Sequence, residues 1–319
     1  MNWGFIGFGR IARKFLESLQ SVEGEIPFAF ASRSNAVALR EEFPEARVYE
    51  SYEALLMDPQ VDVVYISTTH NFHYGNTVAA LNHGKHVVCE KPLGISYAEA
   101  KAMADLAREK KLFLLEAMWM RFLPAYREAI RRAKSGEIGP IRHITASFGF
   151  RSEISTNPDG RLMNPDLAGG ALYDVGVYPL TLISDLFGWE PESFKAHAIK
   201  SITGVDETIQ IQLDFGDDRL AQTLGSVALN TNKEACIYGE AGYIKMPLFW
   251  KCETFEVHKG EEVETVNIPY QSTGYAHEII ETAACIANGK TESELFTLND
   301  SLMSAQLVEN ILTTIFKKK

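Results

Sequence analysis

The chain has 319 residues, enough for about two domains with proper cores. Its 46% hydrophobic and 23% charged content is ordinary for a globular protein. A formal net charge of −11 opposes non-specific binding to nucleic acid or to an anionic membrane, so neither is expected as a partner.

In chain order, Asn2-Trp3-Gly4-Phe5-Ile6 is a short strand pattern that feeds directly into Gly7-Phe8-Gly9-Arg10-Ile11-Ala12. This is the G-x-G-x-x-G/A fingerprint in its proper context. Gly7 allows the tight turn, Gly9 lets the backbone approach a pyrophosphate, and Ala12 lets the next helix pack closely on the strand. The helix itself is announced by Ile11, Phe15 and Leu19, one apolar residue every fourth position. Its N-terminus would offer free N–H groups and a positive dipole end to the anion, with Phe8, Arg10 and Ile11 beside it.

The second strand reads Ile26 to Ala31 and is followed by Ser32-Arg33-Ser34. An NAD site needs a carboxylate at this tip, roughly 20 residues past the fingerprint, for the ribose 2′-hydroxyl. None stands there. Arg33 would attract a 2′-phosphate and Ser32 would donate to it, so the sequence favours NADP over NAD.

A polar helix near 35–42, a strand at Arg47–Tyr49 and a helix from Ser51 come next. Asp62 to Ile66 is a near-continuous apolar strand, as a parallel sheet covered on both faces requires. A helix over 72–83 is ended by Gly84, His86–Cys89 is another strand, a helix spans about 96–110, and Leu112–Leu115 closes the sheet. This βαβα rhythm predicts a doubly wound domain over 1–120.

The rhythm changes after residue 120. A helix at about 124–134 precedes strands at 141–150, 194–199, 207–215, 220–229 and 234–238. One helix (about 170–187) is inserted among them, and two (about 275–288 and 297–316) close the chain. The pattern predicts an α+β domain over 121–319, a mainly antiparallel sheet with helices on one face. No long flexible linker separates the domains, so they are expected to share a cleft.

The four cysteines, Cys89, Cys236, Cys252 and Cys285, lack CxxC spacing and are expected as reduced, mostly buried thiols. No apolar run approaches the ~20 residues that span a bilayer. With the first strand beginning at residue 2, a signal peptide is not expected and the protein is read as cytoplasmic. His70, His73, His83 and His86 have poor spacing for zinc, and no metal is expected.

Two segments carry chemistry. Cys89-Glu90-Lys91-Pro92 follows the C-terminal end of a parallel strand, the edge where ligands bind in open α/β sheets. In Gly169-Gly170-Ala171-Leu172-Tyr173-Asp174-Val175-Gly176-Val177-Tyr178-Pro179, Asp174 and Tyr178 stand at i and i+4 on one helical face. Taken alone, the lysine also fits a surface position, and the pair also fits a surface Asp with a half-buried Tyr.

Together these pieces resemble the Gfo/Idh/MocA oxidoreductases, most closely the dihydrodiol dehydrogenase and D-xylose dehydrogenase branch. The likeness covers the whole chain: GFGRIA, the stretch Ser67 to His73, Gly84 to Pro92, Glu116-Ala117-Met118-Trp119-Met120-Arg121-Phe122, GGALYDVGVYP, and Gly274-Tyr275-Ala276-His277-Glu278. Most of the wider family carries His where this chain has Tyr178, which moves the proton donor from imidazole to phenol. The resemblance implies hydride transfer between nicotinamide C4 and a carbinol carbon of a small cyclic alcohol, an aldose or a trans-dihydrodiol. Tyrosine has a reference pKa of about 10, and a nearby ammonium favours its phenolate. Lys91 and Tyr178 would therefore form one acid–base unit, with Asp174 orienting the lysine or a substrate hydroxyl.

The resemblance also implies that Thr68, Asn71, His73, Glu90 and Lys91 line the cofactor and that Tyr275 meets its nicotinamide end. Trp119 and Phe150 would wall the substrate pocket, and Arg161 would contact the substrate, although a Trp at a domain junction also fits plain packing. A homodimer through the second sheet is expected, with Phe215, Leu224, Ile237 and Phe249 as loose support. Two rival readings use the same residues: a reductase of a sugar-derived ketone or aldehyde, and a non-catalytic NADP-binding regulator.

Overall fold

The computed structural model describes residues 1–32, 35–151 and 153–317. The chain forms two compact units, Met1–Trp119 with Gln271–Leu302, and Met120–Tyr270 with Met303–Lys319.

The first unit alternates strand and helix: β1 (Asn2–Ile6), α1 (Arg10–Leu19), β2 (Ile26–Ala31), α2 (Ala36–Glu42), β3 (Arg47–Tyr49), α3 (Tyr52–Leu56), β4 (Val63–Ile66), α4 (His73–Asn82), β5 (His86–Glu90), α5 (Tyr97–Lys110) and β6 (Leu114–Ala117). The strands form a parallel sheet in the order β3-β2-β1-β4-β5-β6, the doubly wound arrangement, with its switch point between β1 and β4. Val63, Val64, Tyr65 and Ile66 are fully buried, which is why β4 reads as one apolar run. Aromatic rings fill the space under α1: Phe15 stacks on Tyr65 at 3.7 Å and Phe5 on Phe30 at 5.0 Å. Ser96 caps α5 by accepting from Glu99 N, and the Glu99 carboxylate returns to Ile95 N.

The second unit begins with α6 (Pro124–Lys134) and β7 (Ile141–Gly149). Residues Leu172–Gly176 then form a π-helical turn that leads into α7 (Val177–Phe187). After it come β8 (Ser193–Lys200), β9 (Asp206–Asp214), β10 (Leu220–Ser226), β11 (Glu234–Gly239), β12 (Gly242–Pro247), β13 (Thr254–Lys259) and β14 (Glu262–Asn267). These build an eight-stranded sheet ordered β14-β13-β12-β11-β7-β10-β9-β8, antiparallel except where β10 runs parallel to β7. The register puts Ile144 opposite Ile237 and Ile237 opposite Ile244, so one face is apolar and buried.

Three strands, β12 to β14, lie beyond those expected from the sequence. The Phe255/Val257 alternation and the Gly260 turn mark β13 and the hairpin to β14, an edge strand that is largely exposed and carries Glu262, Glu264, Thr265 and Asn267 beside two valines. Phe215, Ile237 and Phe249, expected to support a dimer, are buried within the unit itself, and Leu224 is half-buried.

Residues 271–302 return to the first unit, where a division at residue 120 assigns them to the second. The Thr273 hydroxyl donates to Lys14 O at 2.7 Å, Gln271 Nε2 donates to Ser21 O at 3.0 Å, and Leu114 N donates to Thr291 O at 3.1 Å. The helix that follows, α8 (Ala276–Ala287), packs against α1. The last helix, α9 (Leu298–Phe316), supplies residues to both units. Sequence order cannot announce such a return, because it is made of long-range contacts.

Candidate active site

In the first unit, the fingerprint forms the turn between β1 and α1. Gly7 has φ +82°, and a Cβ on it would come within 2.9 Å of Thr68 N, so the turn and its contact with the loop after β4 both require glycine. Ser67 Oγ donates to Gly7 O at 2.6 Å and locks the two loops together. Gly9 differs: a Cβ there would meet no described atom within 4 Å. It is the N-cap of α1, has ordinary φ and ψ, and makes no side-chain cap. The space above it is therefore open and faces the uncapped start of a helix, which suits a nucleotide pyrophosphate. The Phe8 ring packs inward against Phe5, Phe30 and Phe43, leaving its backbone for the ligand side. Arg10 is exposed, Ile11 is half-buried and Ala12 is buried, as close helix packing asks.

At the tip of β2, Ser32 Oγ accepts from Asn35 N at 3.0 Å. Arg33 lies outside the described residues. After β4, Thr69 Oγ1 donates to Asn71 Oδ1 at 2.8 Å, and Asn76 Nδ2 donates to Thr68 Oγ1 at 3.2 Å. His73 is fully buried. Its Nδ1 lies 2.8 Å from Pro92 O and its Nε2 lies 3.1 Å from Thr68 O. Burial, aided by the Lys91 charge, pushes this imidazole below its ordinary range; the neutral ring carries one N–H and so donates to one of these two carbonyls.

Lys91 follows the last residue of β5 and is nine-tenths buried, with a cis peptide to Pro92. Tyr65 Oη donates to Glu90 Oε1 at 2.6 Å. Two buried acids that the sequence reading did not single out lie in this unit. Burial pushes the Glu116 carboxyl up to about 7, against the opposing pull of Ser301, the Leu93 N–H and Lys91. Burial and the neighbouring Glu90 push Glu278, in the first turn of α8, well above the carboxylate range. Neither Glu278 oxygen has a hydrogen-bond partner among the described residues, as suits a neutral acid. A carboxylate inside the apolar run of β6 was the available signal for Glu116. Tyr275 and Trp119 stack on each other at 4.9 Å and both are buried, so packing accounts for much of their surface.

In the second unit, Asp174 and Tyr178 are each 8% exposed. They sit at the junction of the π-helical turn and α7, a distortion often found at functional sites. Arg161 Nη1 donates to Asp174 Oδ1 at 2.7 Å, so this guanidinium holds the carboxylate. The Phe148 ring packs on Tyr178 at 5.4 Å, and Phe150, half-buried, lies 6.5 Å from Phe148. The structure thus joins Asp174 with Arg161 and Tyr178 with Phe148 in one unit, and Lys91 with Glu116 and His73 in the other. Among the described residues, no group of three or more His, Cys, Asp or Glu side chains is placed to hold a metal ion.

Residues 1–117 match the oxidoreductase family with an NAD-binding Rossmann fold, Gfo/Idh/MocA, and residues 126–245 match the C-terminal domain of the same family. A trans-1,2-dihydrobenzene-1,2-diol dehydrogenase of Danio rerio is 33% identical over 97% of this chain and 95% of its own length. A D-xylose 1-dehydrogenase (NADP(+)) of Hypocrea jecorina is 31% identical over 98% of this chain and 91% of its own length. Among solved structures, a 3-ketoreductase from Actinomadura kijaniata in complex with NADP and TDP-benzene superposes with a TM-score of 0.88 at 27% identity, covering 98% of this chain and 97% of that one. With both units matched, in the order the chain carries them, this protein belongs to the Gfo/Idh/MocA oxidoreductase family.

Proposed function

We propose that this chain is a cytoplasmic NADP-dependent dehydrogenase of a small cyclic alcohol, an aldose sugar or a trans-dihydrodiol. The observation that carries the reading is the buried Asp174 and Tyr178 pair on one distorted helical turn, with Asp174 held by Arg161. Burying two such groups is costly unless they have work to do. The substrate class rests on the D-xylose and dihydrodiol dehydrogenases among the relatives.

Bound NADP would supply the hydride acceptor, nicotinamide C4. The turn Gly7 to Ile11 would hold the pyrophosphate, Ser32 and Arg33 the 2′-phosphate, and Thr68, Asn71, Glu90, Lys91 and Tyr275 the remainder. Tyr178 takes the substrate hydroxyl proton in oxidation and returns it to the carbonyl oxygen in reduction. Lys91 supplies the ammonium that favours the phenolate. Asp174, fixed by Arg161, orients the substrate hydroxyl, and Trp119 and Phe150 shape the pocket. NADP, rather than NAD, is supported by the absence of a carboxylate after β2, by the D-xylose 1-dehydrogenase (NADP(+)) relative and by the ketoreductase solved with NADP. The ketoreductase relative favours a second reading, reduction of a sugar ketone with the same residues in reverse.

A homodimer through the outer face of the eight-stranded sheet is part of the proposal. Leu220 and Tyr238 are exposed there, and sedimentation at micromolar concentration checks it. Function is tested by titrating NADPH and NADH by fluorescence, then adding D-xylose, D-glucose and a trans-dihydrodiol with the oxidised form. Tighter NADPH binding with growing reduced-nicotinamide absorbance is expected. A preference for NADH contradicts the cofactor assignment, and binding without turnover of any alcohol contradicts the dehydrogenase direction.

A further inference from the structure

Asp206, the first residue of β9, is 1% exposed. Its Oδ2 accepts the Leu172 N–H at 2.7 Å, and the Ala171 N–H also bonds to this carboxylate. Both N–H groups belong to the first turn of the helical segment that carries Asp174 and Tyr178, and the start of a helix leaves such donors without partners of its own. Gly170, just before them, has φ +123°, and a Cβ there would run into Asp206 Oδ1. Asp174 N donates to Gly170 O at 3.2 Å, so the turn that presents Asp174 rests on the residue that closes over Asp206. Further along, a Cβ on Gly225 of β10 would lie 3.4 Å from Gly176 Cα, so sheet and turn nearly touch.

We infer that Asp206 is a positioning residue, a carboxylate from the sheet that caps the Asp174–Tyr178 segment and fixes where its two polar side chains point. The inference rests on the catalytic roles proposed above for Asp174 and Tyr178. A side chain from a distant strand is a stiffer anchor than a local cap, because β9 is paired on both edges, to β8 and β10. A carboxylate satisfies two N–H groups at a positive helix end where a single neutral oxygen does so less well. Burial pushes this carboxyl up to about 7, which marks the charge as expensive to keep there.

The experiment compares Asp206→Ala, Asp206→Asn and Tyr178→Phe with the wild-type full-length protein. Hydrogen exchange of the peptide covering residues 168–178 is read without substrate. NADPH affinity, kcat and KM are read with NADP+ and D-xylose or trans-1,2-dihydrobenzene-1,2-diol. Asp206→Ala is expected to speed exchange of that peptide about ten-fold, as loss of a cap does, and to leave exchange of residues 10–19 unchanged. It should lower kcat by roughly 10- to 100-fold with NADPH affinity within about two-fold of wild type, the mark of misplaced groups rather than lost binding. Asp206→Asn keeps one acceptor and should recover part of both effects, and it decides the matter if the alanine variant does not fold. Unchanged exchange at 168–178 overturns the inference, as does faster exchange with wild-type kcat, or an equal loss of kcat and NADPH affinity. Tyr178→Phe separates the layers. If it retains full turnover, the catalytic reading fails regardless of Asp206; if it is inactive while Asp206→Ala is unimpaired, only the positioning role fails.

Discussion

Each unit starts one of its helices from a glycine pair, and the two starts are built for opposite ends. At Gly7 and Gly9 the helix begins without a side-chain cap, and the space above Gly9 is open. At Gly169 and Gly170 the corresponding place is filled by the protein's own anion, Asp206, bonded to Leu172 N. The same local chemistry, N–H groups at a positive helix end, serves in one case to receive an anion and in the other to be held by one. Glycine-rich sequence before a helix does not by itself say which; the occupant does.

The largest expected effect lies at the reacting groups. Lys91→Met should lower kcat by about 10³-fold while retaining part of the NADPH affinity, since acid–base assistance contributes on that scale. Unchanged turnover would remove Lys91 from the mechanism.

Next come the two starts themselves. Gly170→Ala forces a side chain into Asp206 at a backbone angle that L residues rarely adopt, and a loss of about 3 kcal/mol of stability is expected by denaturant titration. Gly9→Ala meets no described atom, so its melting temperature should stay within about 1 °C of wild type while NADPH binding weakens about ten-fold. If Gly9→Ala destabilised the fold and left NADPH affinity intact, the open start would be a packing feature and the comparison would collapse.

Of the first unit's buried acids, Glu116 gives a pH signature. Burial pushes the Glu116 carboxyl up to about 7 from an ordinary 4.5, so the folded chain binds this proton more tightly than the unfolded chain does. Its contribution is fully present below the ordinary value and is lost as pH rises through about 7. Between pH 4.5 and pH 8 the wild type should therefore lose on the order of 2 kcal/mol of stability relative to Glu116→Gln, read by denaturant titration at both pH values. Parallel pH dependence in the two proteins would show that Glu116 does not carry this proton.

Much of the first unit was legible because its strands are buried on both faces and its loops carry motif glycines. Val63 to Ile66 and the GFGRIA turn could hardly be read otherwise. The second unit was harder. Its strands bury one apolar face and expose the other, polar one, so β13 and β14 read as mixed sequence, and Thr273 gives no local sign that it returns to Lys14. The functional residues divide in the same way. Lys91, Asp174 and Tyr178 stand in motifs, whereas the partner of Asp174 (Arg161, 13 positions away) and the cap Asp206 are known only from the fold. An aspartate opening a strand looks like any turn residue until its 1% exposure is seen.

The most direct measurement follows reduced-nicotinamide absorbance when wild type and Tyr178→Phe are given NADP+ with D-xylose or trans-1,2-dihydrobenzene-1,2-diol, with NADPH binding measured alongside. Absorbance that grows with wild type and not with Tyr178→Phe, at matched NADPH affinity, is the expected result. Equal turnover by the two proteins would contradict the role of Tyr178 as the acid–base group.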